Sequence, residues 1–335
     1  MAINIRHRAK QASSKNILHL SRLYRFGCHH DMRMANMMLA MDVRPTLTFA
    51  AGVWGTHGLS RADPMRHPLQ SQYSIMQKRA LGLPHSTAHW ILCMLTGNWP
   101  IHYYIIREFC RYWNRLMDVA RHVRPVGEAL KMQRRLLRNR KKCWIAQWLD
   151  TLYAVVPDDA ESWLQINSFQ RIDEELLLSY VRVAYVKCVT NLGDPRAAEC
   201  LHRRIALTSH MVYRLGFRFG EVPKLMRWVM PPHVRQAWYN FLAANSTLPV
   251  HDFALAGTPY PQRLCNKCMQ GVVGDEFHVL FECDTTVEIR NEYKYELLWC
   301  KRTLGDFLQV NTTRTLPFFV YSCMLAYTNA TTVLR

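Results

Sequence analysis

Acidic side chains are scarce in this 335-residue chain: 25 Asp and Glu face 43 Lys and Arg, a formal net charge of +18. The shortage is local. Residues 1–150 carry 24 basic and 7 acidic side chains, whereas residues 151–335 carry 19 and 18. So few carboxylates exclude a self-neutralised surface in the first half. Asp158-Asp159 is the only adjacent acidic pair in the first 170 residues, and it follows Val155-Val156-Pro157. A polymerase palm holds two metal ions with carboxylates on a hairpin between apolar strands. No hairpin pattern surrounds this pair, which reads as an inter-helix turn. Long apolar runs are missing as well. The longest, Leu316 to Tyr327, is interrupted by Ser322 and Cys323 and is too short to cross a bilayer. No membrane partner is expected. The N-terminus, Met-Ala-Ile-Asn-Ile-Arg-His-Arg-Ala-Lys, lacks the apolar core of a secretory signal. No phosphate-binding glycine loop occurs, no nucleophile stands with a base, and no internal repeat is visible. Cys28-His29-His30-Asp31 are consecutive and cannot all converge on one ion, and His85 and His89 lack a third ligand. Neither an enzyme nor a small-molecule substrate is expected.

Cysteine is abundant where these other features are absent. Of eleven cysteines, three fall in the segment 265–283, which reads C-x2-C-x9-H-x4-C. Cys265, Cys268, His278 and Cys283 form a complete tetrahedral donor set for zinc, with no position open for substrate. Gly271 and Gly274 let the loop double back, and Asp275-Glu276 open a short helix carrying His278. Such a filled shell points to structure and binding rather than catalysis. The other cysteines lie mostly in apolar helical stretches. That usage suits a reducing, intracellular compartment, nucleus or cytoplasm, rather than a disulfide frame.

The fold class expected is mainly α. Helical patterns cover 14–40 with Ser14 as a cap, 73–81, a segment capped by Ser86 or Thr87, a longer helix from Pro100, and 128–149. Others cover 168–191 (ended by Gly193-Asp194-Pro195), 287–299 after Asp284-Thr285-Thr286, and 316–328. Short strands are expected within 245–256. We place boundaries near 155 and 245. This gives a basic helical domain (1–155), a helical connector (156–244) and a zinc module with C-terminal helices (245–335).

Two basic surfaces stand out. Arg107, Arg111 and Arg115 recur every four residues on one side of a helix. Lys131, Arg134, Arg135, Arg138, Arg140, Lys141 and Lys142 dominate the helix read over 128–149. That run is read as lacking acidic partners at i±3 and i±4, so self-pairing does not neutralise it. Both surfaces are expected to contact phosphates of RNA or DNA. Tyr103 is expected to be exposed among the arginines, whereas Tyr104, Tyr112 and Trp113 belong to the helix core by their spacing.

The order of these pieces resembles the C-terminal region of a LINE-type, non-LTR retrotransposon reverse transcriptase. Leu47-Thr48-Phe49-Ala50-Ala51-Gly52-Val53-Trp54-Gly55 is followed by Ala80-Leu81-Gly82-Leu83-Pro84, Ser86-Thr87 and Gly97-Asn98-Trp99-Pro100. Downstream come the element from Arg263 to Cys283 and then Arg290-Asn291-Glu292-Tyr293. The similarity covers roughly 14–120 and 235–300. It implies a helical thumb-like domain before a CCHC zinc module. The family's palm, fingers and endonuclease have no counterpart in this sequence, and no Pro-Asp…Asp-x-Lys cluster follows Cys283. The resemblance therefore implies a truncated or domesticated, nucleic-acid-binding remnant that lacks polymerase chemistry. Two other expectations remain open. One is a zinc-stapled helical module that binds an acidic protein. The other is the non-catalytic part of an active reverse transcriptase whose palm lies on another chain.

Overall fold

The computed structural model describes residues 2–25, 31–56, 67–153, 170–191, 220–226, 228–251, 257–268, 270–299 and 303–330. Among them the helices are α1 (Ala2–Arg25), α2 (Met32–Met38), α3 (Arg44–Thr48), α4 (Ala51–Trp54), α5 (Pro68–Leu81), α6 (His89–Thr96), α7 (Ile101–Ala120), α8 (Arg124–Arg138), α9 (Trp144–Tyr153), α10 (Glu174–Asn191), α11 (Pro232–Leu242), α12 (Glu276–Phe281), α13 (Val287–Glu292), α14 (Leu304–Val310) and α15 (Thr315–Asn329). A π-helical turn, Leu39–Val43, joins α2 to α3. The only extended pairing among the described residues is the antiparallel bridge between Leu264 and Val273. The mainly-α expectation holds. The strands expected within 245–256 do not form in its described part: residues 249–251 are helical.

The chain divides into two compact units, each built from separate segments. Unit 1 takes residues 1–21, 37–76 and 99–188; unit 2 takes 22–36, 77–98 and 189–335. The boundary expected near 155 and the Asp158-Asp159 turn lie outside the described residues, as do Cys28-His29-His30 and Gly193-Asp194-Pro195.

Unit 1 is organised around α7. Ile101, Ile105, Phe109, Trp113 and Met117 recur every four residues and are all buried, so one stripe of this helix is core from end to end. Helix α4 lies close against it because two of its neighbouring positions are glycine. A Cβ on Gly52 would stand 2.6 Å from Tyr112 Cβ, and one on Gly55 would stand 2.5 Å from Ile105 Cγ2. The freed carbonyl of Gly52 accepts hydrogen bonds from the Nε1 atoms of both Trp144 and Trp148, each at 3.0 Å. Phe109 stacks on Trp148 with ring centroids 3.9 Å apart. Each such aromatic removes a large apolar area from water, and the stacked geometry adds to that. Helix α10 is tied in by Asn114, which donates to Ile172 O and accepts from Ile172 N. Leu177, Val181 and Tyr185 then repeat the four-residue stripe.

Unit 2 packs α11 against α15 and places α12 and the turn 284–286 on the same α15 surface. Trp238 is fully buried and donates to Leu225 O at 3.1 Å. Gly97 ends α6 with φ +65° and is pressed against Val222, a turn that an L side chain would strain. No helix of the described residues is long and apolar enough to cross a membrane.

Two expected caps and one helix end are displaced. Ser14 lies inside α1, which starts at Ala2, and its hydroxyl donates back to Lys10 O. Neither Ser86 nor Thr87 caps α6; Ala88 precedes that helix without a side-chain bond, and Thr87 Oγ1 accepts from Asn245 Nδ2. The helix read over 287–299 stops at Glu292 and continues as turns. Polar side chains near a helix start satisfy their bonding capacity wherever the tertiary structure offers a partner, so local sequence misplaces them.

Candidate metal centre and basic surfaces

The segment 263–283 builds one compact site. Cys265 N donates to Val272 O and Gly274 N to Arg263 O, both at 2.8 Å, which closes a small two-stranded turn on either side of Gly271. Gly271 has φ +68° with open space around it, so the backbone rather than crowding requires glycine. At Gly274 crowding is the reason: a Cβ would meet Pro249 Cγ at 2.7 Å and Cys265 Cα at 2.9 Å. Asp275 caps α12 by accepting from His278 N at 2.9 Å, and its other oxygen accepts from Tyr260 at 2.6 Å. The capped turn fixes the start of the helix that presents His278, as the sequence anticipated.

All four side chains, Cys265, Cys268, His278 and Cys283, are buried, and their donor atoms lie within 4.8 Å of one another. Cys265 and Cys283 sulfurs are 4.0 Å apart, and Cys268 sulfur is 3.3 Å from His278 Nε2. A tetrahedral ion with metal–sulfur bonds near 2.3 Å requires S···S edges of roughly 3.8 Å and S···N edges of roughly 3.5 Å. Those edges match the spacing found here, while a disulfide would need sulfurs near 2.05 Å. The four residues could therefore hold a metal ion.

Hydrogen-bond donors surround the sulfurs. The backbone amides of Lys267, Gln270 and Thr285, each two residues beyond its cysteine, donate to the sulfurs of Cys265, Cys268 and Cys283. Thr285 Oγ1 lies 3.1 Å from Cys283 sulfur and Tyr327 Oη lies 3.6 Å from Cys265 sulfur. Cys265 is held far below the ordinary thiol range, first by the hydrogen bond from the Cys283 thiol, and the same bond pushes Cys283 up. Burial raises Cys268. At His278 burial favours the neutral ring, but the Cys265 thiolate and the Glu282 carboxylate outweigh it and raise its proton affinity overall. His278 Nδ1 is buried without a hydrogen bond, and Glu282 Oε2 stands 3.6 Å away. A ligating Nε2 leaves a proton on Nδ1, and this carboxylate is then the group placed to orient the ring.

No protein-family model, curated protein or solved structure matches this chain. The support around the centre was only partly legible. Leu248, Val250, Val279 and Tyr327 pack directly with the three cysteines. Beneath them Glu276 Oε1 is 2.6 Å from His251 Nε2, and Ser246 Oγ is 2.7 Å from His251 Nδ1. This Ser246–His251–Glu276 chain, buried at His251 and Glu276, fixes the start of α12 and joins residues far apart in sequence, which no spacing rule reports.

The basic surfaces are more mixed than their sequence suggests. Arg111 pairs with Glu174 at 2.9 Å and approaches Glu108 at 3.6 Å. Arg107 stands 3.8 Å from Glu108 and over the Tyr104 ring. Arg115 is exposed on the same helix. Tyr103 is not exposed, contrary to expectation. It is buried, stacks on Trp99 and accepts a 2.8 Å hydrogen bond from Arg182. Tyr104 and Trp113 are buried, as their spacing implied.

The single helix read over 128–149 is two helices, α8 and α9. The break falls at 139–143, and Arg140 has φ +51°. Lys131, Arg134, Arg135 and Arg138 lie on α8, whereas Arg140, Lys141 and Lys142 lie in the turn. The reading that this run lacks acidic partners fails at Lys131, whose ammonium is 3.0 Å from Glu128. Arg134 is half-buried. No acid among the described residues pairs with Arg115, Arg135, Arg138, Arg140, Lys141 or Lys142, all of them exposed.

Proposed function

We propose that this chain is a non-catalytic, zinc- and nucleic-acid-binding part of a LINE-type retrotransposon reverse transcriptase. The observation that carries the reading is the buried Cys265–Cys268–His278–Cys283 cluster, with its donor atoms within 4.8 Å of one another. Three thiolates and an imidazole are soft and borderline donors that suit zinc. Four protein donors leave no position for a reacting water, so the ion's role here is to hold the fold. The excess cations of residues 1–150 supply a polyanion surface, and Arg115, Arg135, Arg138, Arg140, Lys141 and Lys142 are among its accessible members. Phosphate contacts made by such residues position a strand and carry little sequence information.

The test is metal analysis of chain purified without chelator, alongside titration with single-stranded RNA and duplex DNA at several salt concentrations. About one zinc per chain and salt-sensitive binding support the proposal; no zinc, or no binding at low salt, would overturn the corresponding half. A second reading is a zinc-stapled protein-interaction module. Tyr295, 91% exposed, and Leu298, 67% exposed, favour it as apolar groups in the same unit as the metal centre. That reading leads if nucleic acid does not bind.

A further inference from the structure

Helix α1 carries Arg6, Arg8, Lys10, Lys15, Arg22 and Arg25 and not one acidic residue. Ile5, Ala12 and His19, seven residues apart, face the core, and Lys10 and Lys15 are exposed. Between α1 and the π-turn–α3 segment lies an open cleft of about 610 Å³, lined among others by Arg8, Gln11, Lys15, Leu18, Pro45 and Phe49. That volume is within the range of small-ligand sites, roughly 300–1,000 Å³.

Phe49 is the unusual member. The residue is 61% exposed, although its backbone is firmly placed. Its carbonyl accepts from Trp54 Nε1 at 2.8 Å, and Ala50 just after it adopts φ +54°. Arg8, anchored to Gln11 at 3.1 Å, holds its guanidinium 4.5 Å from the ring centroid. One side of the ring thus has a cation over it while the rest of its surface meets water. Asp42, the acid of the facing segment, stands 3.2 Å from His19. A rigid, exposed aromatic beside cations has the composition of a base-stacking platform.

We infer that the α1–α3 cleft binds single-stranded nucleic acid, with one unpaired base stacked on Phe49 and the adjacent phosphates held by Arg8 and Lys15. The inference rests on the reading of the chain as a nucleic-acid binder, but it concerns a surface separate from α7 and α8. It requires a single strand, because a base inside a duplex does not offer its face to a side chain. Arg8 on the opposite side of the ring strengthens the stack by polarising it.

The experiment uses the full chain, a mixed-sequence single-stranded RNA and an abasic phosphodiester strand of equal length. Phe49→Ala should weaken binding of the RNA about ten-fold, the size of one base–aromatic stack, and leave the abasic strand unaffected. Phe49→Trp should preserve RNA binding, and Lys15→Gln should weaken both strands. Phe49 is exposed, so thermal melting should be unchanged and a folding defect is separable from a binding one. If wild type binds both strands equally and Phe49→Ala alters neither, the cleft is no base site and the broader nucleic-acid reading survives. If wild type binds neither strand, the broader reading fails first.

Discussion

Replacing Arg135, Arg138, Arg140 and Lys142 together with Gln should change the salt dependence of nucleic-acid binding by a calculable amount. Of the ten cations assigned to the two basic surfaces, six are exposed and lack an acidic partner among the described residues: these four, Arg115 and Lys141. Lys131 and Arg111 are discounted because Glu128 and Glu174 already hold them at 3.0 and 2.9 Å. Each phosphate neutralised on a single strand contributes roughly −0.7 to the slope of log affinity against log salt. Six contacts give a slope of about −4, and the variant, with two left, about −1.4. Between 50 and 200 mM salt the wild-type affinity should then fall about 300-fold and the variant affinity about seven-fold. Fluorescence anisotropy of a labelled single strand at four or more salt concentrations reads both slopes. The substitutions lie on exposed side chains, so melting temperature should move little. An unchanged slope and affinity in the variant would show that these residues are a solvated face, and the nucleic-acid assignment of α8 would be withdrawn. A wild-type slope steeper than −4 would count further cations among the contacts, Arg124 on α8 and Arg8 and Lys15 on α1.

Cys283→Ser should lower bound zinc to well under one per chain by elemental analysis and raise amide exchange across 263–283 and 315–329, where Tyr327 and Val279 pack on the centre; full zinc retention would refute the ligand set. Gly52→Ala should cost about 1–3 kcal/mol in chemical denaturation, because its Cβ would stand 2.6 Å from Tyr112 on the α4–α7 contact; an unchanged midpoint would show that the contact yields freely. Burial pushes the Cys110 thiol up to about 12, so Cys110 should resist iodoacetamide at pH 8 until the chain is unfolded, checked by peptide mass mapping. Burial likewise raises the Tyr239 phenol to about 12 from an ordinary value near 10. Its neutral form is favoured by folding, so that contribution is complete below pH 10 and should fade as pH rises toward 12; equal stability of wild type and Tyr239→Phe across that window as across pH 7–9 would contradict it.

The sequence by itself determined the helical class, the donor set and the charge imbalance, because each is a local or additive property. Four-residue spacing on α7 marks Ile105, Phe109 and Trp113 as core whatever they pack against. C-x2-C-x9-H-x4-C already confines four donors to one short loop, and the cap at Asp275 depends only on residues three apart. Charge can be counted without a fold, and the empty acidic column of α1 was there to be seen. What only the tertiary structure decided is which charges remain available and which aromatics are covered. Glu174 neutralises Arg111 across 63 residues, Arg182 closes over Tyr103 across 79, and α10 makes both contacts by packing on α7. Phe49 lies exposed beside Arg8 because α1 and α3 meet, 41 residues apart in sequence. The Ser246–His251–Glu276 chain under the metal centre arises the same way. Such pairings depend on how distant helices pack, and periodicity along one helix carries no information about the neighbour that will cover it.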